Sequence, residues 1–224
     1  MNISKYISLF FIQIFFYATC FAQNKKIDSL KKLLPSLYDS ASVDCLNELS
    51  EAYLGLPDWF SDTPPPMPQY DTAEIFALQA LEKSKKIYYF YGMARAISLK
   101  AELAFEKYNN YPEAEKLSRE AISSYKKTAN KKGLYKTYLL LGMTLHSQSN
   151  FEAAINNYDT AYALSKKAGD SLYMFYAAVT SVHVNQSSGD YEKAFEKVPV
   201  LHQLVLGNGN AEWKSWELYI IAEL

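Results

Sequence analysis

Three histidines, His146, His183 and His202, and two cysteines, Cys20 and Cys45, are the side chains of this 224-residue chain best suited to hold a transition metal or attack an electrophile. Ligands for one ion must converge, so they recur at short fixed spacings such as H-x3–5-H or C-x2–4-C. No histidine here shares such a spacing with another histidine or with Cys45, so all three read as groove or surface residues. Cys45 reads as a small core residue; an intermolecular bridge or a reactive thiol is the alternative. The 24 carboxylates are numerous enough for acid–base work, but no pair stands out and exposed helix faces account for them. "GNGN" at 207–210 has the glycines that could cradle a phosphate, yet it falls between helical segments and reads as a turn. GxGxxG, a phosphate-binding loop, HExxH and GxSxG are all missing. The sequence therefore assigns no catalytic residue, no metal and no cofactor, and binding is the better prospect.

The elements that position these residues are helical. From Gln23 onward, alternating β-branched runs between turns are nearly missing. Hydrophobic residues make up 49% of the chain, enough for a sizeable core. With 23 basic and 24 acidic residues, no clustered positive charge offers itself to phosphates, which argues against a nucleic-acid partner. The 19 tyrosines suit thin helical layers, because the ring packs while the hydroxyl stays wet.

Residues 1–22 differ from the rest. "MNISKYISLFFIQIFFYATCFA" carries Lys5 and then an apolar run from Ile7 to Ala22, shorter than the roughly 20 residues of a membrane-spanning helix. It ends in small residues at Cys20 and Ala22, where a signal peptidase reads. We expect a cleaved secretory signal over 1–22 and an exported, periplasmic mature chain not inserted in the membrane. Anchoring by an uncleaved segment, or lipidation of Cys20 with outer-membrane association, is the alternative. Loss of Lys5 leaves 22 basic against 24 acidic residues and one cysteine, so the fold cannot depend on an internal disulfide.

Internal repetition is the strongest signal. "NNYPEAEKLSREAI" (109–122), "SNFEAAINNYDTAY" (149–162) and "SGDYEKAFEKVPVL" (188–201) align through Tyr111, Phe151 and Tyr191 and through Ala114, Ala154 and Ala194. Both sets advance by the same step, about 40 residues, a period typical of helical repeat arrays. A further copy carries Tyr70 and Ala73. In each copy a helix precedes a short polar turn, a second helix follows, and a basic or Gly-containing loop closes the unit. Pro112 stands at a first-turn position, where its missing N–H costs nothing. Helix pairs repeated at this period imply a solenoid.

The repeats resemble tetratricopeptide (TPR) repeats. The best copy, "YLLLGMTLHSQSNFEAAINNYDTAYAL", has Leu141-Gly142, then Leu145, Ala154, Tyr158 and Ala161 at the motif's large, small and aromatic slots. The resemblance covers roughly residues 41–206, with a step longer than the usual one of about 34 residues. It implies an all-α, TPR-like right-handed α-solenoid of about four helix pairs: repeats at about 41–90, 91–131, 132–169 and 170–207, then a partial repeat or capping helix at 210–224. An exported, Tyr-rich array with this step also resembles the periplasmic sensor portions of Bacteroidetes-type signalling proteins.

In that family the first helix of each pair lines a concave groove that binds a protein or peptide. The corresponding positions are Asp44, Asn47 and Glu51; Leu99, Leu103, Glu106 and Lys107; Lys136, Leu139, Met143 and His146; and Tyr176, Val179, His183 and Gln186. This mixes an acidic end with an apolar middle and suits a peptide or an amphipathic helix; packing between neighbouring helices is the competing role for the apolar members. The function implied is a non-catalytic scaffold, the sensing part of a signalling system. The alternatives are a small-ligand or hydrolytic protein with an acidic pocket near the first repeat, and a fragment of a larger sensor. The stretch 55–69 reads as an insertion in the first repeat, whose Pro64, Pro65, Pro66 and Pro68 hold an extended loop. Its Trp59 and Phe60 either fold back onto the solenoid or form an aromatic hook for a partner.

Overall fold

The computed structural model describes residues 25–55, 67–128, 131–209 and 211–224. Residues 1–22, expected above to be a secretory signal, and Trp59 and Phe60, expected to fold back or form a hook, lie outside the described residues. Among those described, the regular elements are helical: α1 (25–33, continued by a 3-10 turn at Leu34–Ser36), α2 (Asp39–Leu54), α3 (Met67–Lys86), α4 (Phe90–Glu106), α5 (Tyr111–Lys126), α6 (Lys132–Ser147), α7 (Phe151–Ala168), α8 (Ser171–Ser187), α9 (Tyr191–Asn208) and α10 (Ala211–Glu223). The helices α6 to α9 are 16 to 18 residues long and the turns between them only two or three. The long step of the repeat therefore comes from long helices, not long loops.

The chain divides into two compact units, Met1–Gly92 and Met93–Leu224. In the first, α2 packs on α3, and Ile27 of α1 joins Cys45, Leu49 and Ala52 in one apolar cluster. Cys45 is buried; burial, with Glu48 nearby, pushes its thiol pKa up and keeps it unreactive. Tyr53 stacks on Phe76 at 5.8 Å, and the Ser50 hydroxyl donates to the Ala73 carbonyl at 2.8 Å. In the second unit α5 packs on α6, α6 on α7, α7 on α8 and α8 on α9, while the alternate helices α6 and α8, and α8 and α10, also touch.

The turns inside the three later pairs share one geometry. Asn109, Ser149 and Gly189, each one repeat step from the next, have φ of +48°, +60° and +79°. The residues that follow, Asn110, Asn150 and Asp190, each donate their N–H back to the preceding helix, to Ala104, Leu145 and Asn185 carbonyls at 2.8 to 2.9 Å. Each is also the N-cap of the second helix; Asn110 and Asp190 accept there from the backbone N–H of Glu113 and Lys193.

Small residues set the spacing within a pair and between successive pairs. A Cβ on Gly142 would lie 2.5 Å from the Tyr158 ring, and one on Gly133 would lie 2.2 Å from the Tyr125 ring, so in both places only hydrogen fits. Ala114, Ala154 and Ala194, the repeated alanines, are fully buried. Tyr158 is buried with its hydroxyl unmatched by any protein group, and burial raises its pKa. Its ring carries the packing and its hydroxyl carries a desolvation cost. Tyr158→Phe should therefore leave stability unchanged or raise it by up to about 1 kcal/mol, read as the midpoint of a urea melt; a loss of that size would show that the hydroxyl is bonded.

Candidate first-helix binding face

The first helices α6 and α8 present matching stripes. Lys136, Met143 and His146 on α6, and Tyr176, His183 and Gln186 on α8, are all half-buried, with one edge open. Beneath them Leu139 and Val179 are fully buried. A side chain one repeat step further along occupies the same place on the adjoining helix, so the stripes run side by side. α4 ends in Glu106 and Lys107 follows it in the turn, both half-buried, with the Lys107 ammonium 4.5 Å from the Tyr108 ring centroid. The α4–α6 seam is bonded: the Thr137 hydroxyl donates to the Gly133 carbonyl at 2.7 Å, so the Ser98 hydroxyl must donate to Thr137 at 2.9 Å.

One end of the face is aromatic and cationic. Lys136 Nζ lies 5.3 Å from the Tyr173 ring, which meets Tyr176 edge-on at 5.8 Å and Tyr135 at 5.3 Å. The Tyr135 hydroxyl donates to Asp170 Oδ2 at 2.6 Å, and Asp170 Oδ1 caps α8 by accepting from the Tyr173 N–H. Burial, reinforced by Asp170, pushes the Tyr135 pKa well up, so it stays a neutral donor.

The other end is built on histidines. His146 Nε2 is 3.0 Å from Ser187 Oγ. Because the Ser187 hydroxyl proton goes to the His183 carbonyl at 2.9 Å, the imidazole must donate: His146 carries its proton on Nε2 and keeps a lone pair on Nδ1. Its ring also meets Phe151 edge-on at 5.8 Å. His183 lies 6.5 Å from the Tyr219 ring of α10. Burial holds both imidazole pKa values below the ordinary 6.5; for His183 the neighbouring His146 lowers it further and Glu223 of α10 opposes. Both rings are neutral near pH 7, and the face offers hydrogen bonds rather than charge at this end.

A depressed imidazole pKa means that the unfolded chain binds more protons than the folded one once pH drops to about 6.5 and below. Stability from this pair is complete above that value and is lost progressively as pH falls through it. The midpoint of a urea melt should decrease between pH 7 and pH 5, and His146→Gln/His183→Gln should flatten that slope. An unchanged slope in the double variant would refute the assignment.

The structure corrects part of the sequence-based lining. Leu99, Leu103, Leu139 and Val179 are 4% exposed or less: first helices of successive pairs sit close enough to enclose them, and they form the floor rather than the lining. Asp44, Asn47 and Glu51 belong to the Met1–Gly92 unit. Asn47 is fully buried and donates to the Gly92 carbonyl at 3.1 Å, so it fastens α2 to the start of α4. Asp44 accepts from the Tyr89 hydroxyl on both carboxylate oxygens, at 3.0 and 3.1 Å, and Glu51 is half-buried. One surface depression among the described residues of this unit is lined by Leu46, Gln79, Glu82, Lys83 and Lys86, with Glu82 paired to Lys86 at 2.7 Å. Of the residues lining it, Glu82 is the one that carries a carboxylate. Among the described residues no group of three or more His, Cys, Asp or Glu is placed to hold a metal ion, and no helix is long and apolar enough to cross a membrane. Tyr219 and Glu223, beside His183, were not in the sequence-based set. The signal was available, since they stand one repeat step after Val179 and His183.

No protein-family model matches the sequence, and no curated protein matches it. Solved structures do resemble its fold. Aspartyl phosphate phosphatase F from Bacillus subtilis superposes with a TM-score of 0.72 at 19% identity, over 92% of this chain and 53% of that one. A Rap protein complexed with competence and sporulation factor gives 0.67 at 18% identity, over 87% of this chain and 51% of that one. A STAND signal-transduction ATPase with a tetratricopeptide-repeat sensor, from Pyrococcus horikoshii, gives 0.64 at 20% identity, over 82% and 27%. This chain thus spans about half the length of the first two and about a quarter of the third. Identities this low speak for fold alone, and what they show is that the chain has an all-α, TPR-like helical-repeat fold.

Proposed function

We propose that this protein is a non-catalytic scaffold that binds a protein or peptide segment along the first-helix face of α6 and α8, as the sensing part of an exported signalling system. The observation that carries the reading is the paired stripe itself: six half-buried polar, aromatic and thioether side chains over a solid Leu139/Val179 floor. A floor that is already packed gives a segment a preformed surface, and Met143 and Tyr176 supply adaptable contact at little ordering cost. The mixed edge suits an extended or amphipathic helical segment, with an acidic or aromatic group toward Lys136 and a hydrogen-bonding group toward His146. Two neighbours in fold support the role: one is complexed with competence and sporulation factor and another carries a repeat sensor. The apolar leader of residues 1–22 supports export.

Binding is tested by placing a photo-crosslinking amino acid at Met143 in residues 23–224 and mapping crosslinked peptides from periplasmic extract. Met143→Glu/His183→Glu, at half-exposed positions, should abolish capture without changing the helical circular dichroism. Identical capture by both proteins would remove the face from consideration. Export is tested separately, by fractionation and by sequencing the mature N-terminus, expected at Gln23.

A further inference from the structure

The near balance of 23 basic and 24 acidic residues conceals a positive cluster that only the fold assembles. Paired lysines stand twelve and thirteen residues after the repeated alanine in three repeats: Lys85 and Lys86 after Ala73, Lys126 and Lys127 after Ala114, Lys166 and Lys167 after Ala154. After Ala194 the same two places hold Leu206 and Gly207. The six lysines and Leu206 are exposed, Leu206 by 68%. The position is open in the interior repeats as well, so its exposure belongs to the repeat.

Consecutive helices joined by short turns run antiparallel. Within the Met93–Leu224 unit, α5, α7 and α9 therefore end, and α6 and α8 begin, along one edge. That edge carries Lys126, Lys127, Lys166 and Lys167, and the start of α6 adds Lys131 and Lys132. Asp170, an acid on this edge, is already engaged by the Tyr135 hydroxyl and the Tyr173 N–H. Lysines in a last turn can be explained by the helix dipole, whose carbonyl end attracts cations. That account fails for α6, which opens with Lys131 at its N-cap, Lys132 next and no acid in the first turn; α5, α7 and α9 open with Glu113, Glu152 and Glu192. Nor is the charge neutralised nearby. Lys116 and Lys193, toward the opposite edge, pair with carboxylates at 3.2 and 2.7 Å. Among the described residues no carboxylate pairs with Lys127, Lys131 or Lys167, and Lys126 and Lys166 lie 5.9 and 6.0 Å from the Tyr138 and Tyr162 ring centroids.

The junction after α3, in the Met1–Gly92 unit, repeats the lysines and adds aromatics. Tyr88 and Phe90 follow Lys85 and Lys86 and are exposed by 78% and 61%. Tyr88 holds a φ of +56° at the repeat position where Gly169 and Gly209 hold +69° and +68°. A bulky residue is strained there and glycine is not, yet the ring gains no burial. Strain without packing in return points to a contact outside the chain.

Lysine offers a hydrated point charge on a flexible stem, not the rigid fork with which arginine grips one phosphate. In the Met93–Leu224 unit these charges are spread over successive junctions, so an extended anionic plane meets them together. Leu206, Tyr88 and Phe90 are side chains of the kind that seat at headgroup level. We propose that these junctions hold the protein against the surface of a bilayer containing anionic lipid, by headgroup contact. Each unit engages the lipid by itself, and the first-helix face is a separate site.

The test is co-sedimentation of the full chain with vesicles of phosphatidylcholine, alone or mixed with phosphatidylglycerol. The ratio between the two removes whatever the apolar leader contributes. Each lysine near an anionic surface strengthens partition about fivefold. The preference for anionic vesicles should therefore be at least about tenfold near 0.1 M salt, and it should vanish near 1 M, where the screening length falls to about 3 Å. Lys126→Glu/Lys166→Glu should abolish the preference. Lys116→Glu/Lys193→Glu, the same change in net charge toward the other edge, should leave it in place. Tyr88→Gly should weaken binding roughly threefold while holding or raising the midpoint of a urea melt, which a packing role for the ring would not allow. No preference for anionic vesicles, or equal losses in the two lysine variants, overturns the proposal. So does displacement from the vesicles by a polyglutamate peptide or a DNA oligonucleotide at equal charge concentration, since the occupant would then be a soluble polyanion.

Discussion

Leu139→Glu is expected to unfold the Met93–Leu224 unit, whereas Met143→Glu, one helical turn away on the same stripe, leaves it folded. Leu139 is fully buried and Met143 is half-exposed. A glutamate confined at position 139 must either lose its charge or keep it out of water. Fully buried carboxyls have pKa values raised by roughly 3–5 units, so at neutral pH the group takes up a proton, and lifting it from its ordinary value of about 4.3 to that point costs about 3.5 kcal/mol. The lost apolar burial adds about 2 kcal/mol. The sum, about 5–6 kcal/mol, reaches the lower end of the whole stability of an ordinary domain, about 5–15 kcal/mol. A glutamate at 143 turns its carboxylate to solvent and incurs little of this. Urea melts followed by circular dichroism check the contrast directly; two variants that melt alike would mean that the floor and the lining of the face have been misassigned. Leu103, which lines up with Met143 in the repeat but is buried, should behave like Leu139.

The second large effect is Trp213→Ala. Removing the indole deletes the parallel stack on Phe175 and opens a cavity under α10, at a cost of about 3–5 kcal/mol. In stacked helical repeats each element is held by its neighbours, so a terminal element can detach while the interior stays intact. The loss should therefore appear first as local opening. In hydrogen exchange, amides of α10 should lose protection by two or more orders of magnitude, while those of α6 keep theirs. Tyr219 and Glu223 would leave His183 at the same time. A uniform loss of protection across α6 to α10 would contradict this picture.

Why the stripe divides as it does shows how far the sequence can be read. The constant repeat step was legible because Gly142, Ala154 and Tyr158 must touch, and such contacts leave a pattern of residue size. The helices and their pairing followed from that. Burial of Leu139 beside an open Met143 was not legible. Both lie on the same side of α6, and which one is enclosed depends on how closely α8 and α4 approach, a distance set by Tyr173, Ser98 and Thr137 rather than by the helix's own periodicity. Asn47 was misread for a related reason. A polar residue on a first helix passes for lining until a backbone acceptor, here Gly92, is seen beside it. Glu217 would pass for surface by type, but the repeat places it on Ala177 and Thr137, both buried.

The common turn of the three later pairs bears on how such a protein drifts over generations. Asn109, Ser149 and Gly189 hold the same left-handed backbone with three different side chains, so the geometry is imposed by the two helices it joins and not by the residue at the corner. Serine in that conformation costs on the order of 1 kcal/mol more than glycine. Interchange among these residues therefore shifts how firmly a pair closes while leaving its first-helix face where it was. The corners give such a lineage a place to adjust robustness without renegotiating what it recognises.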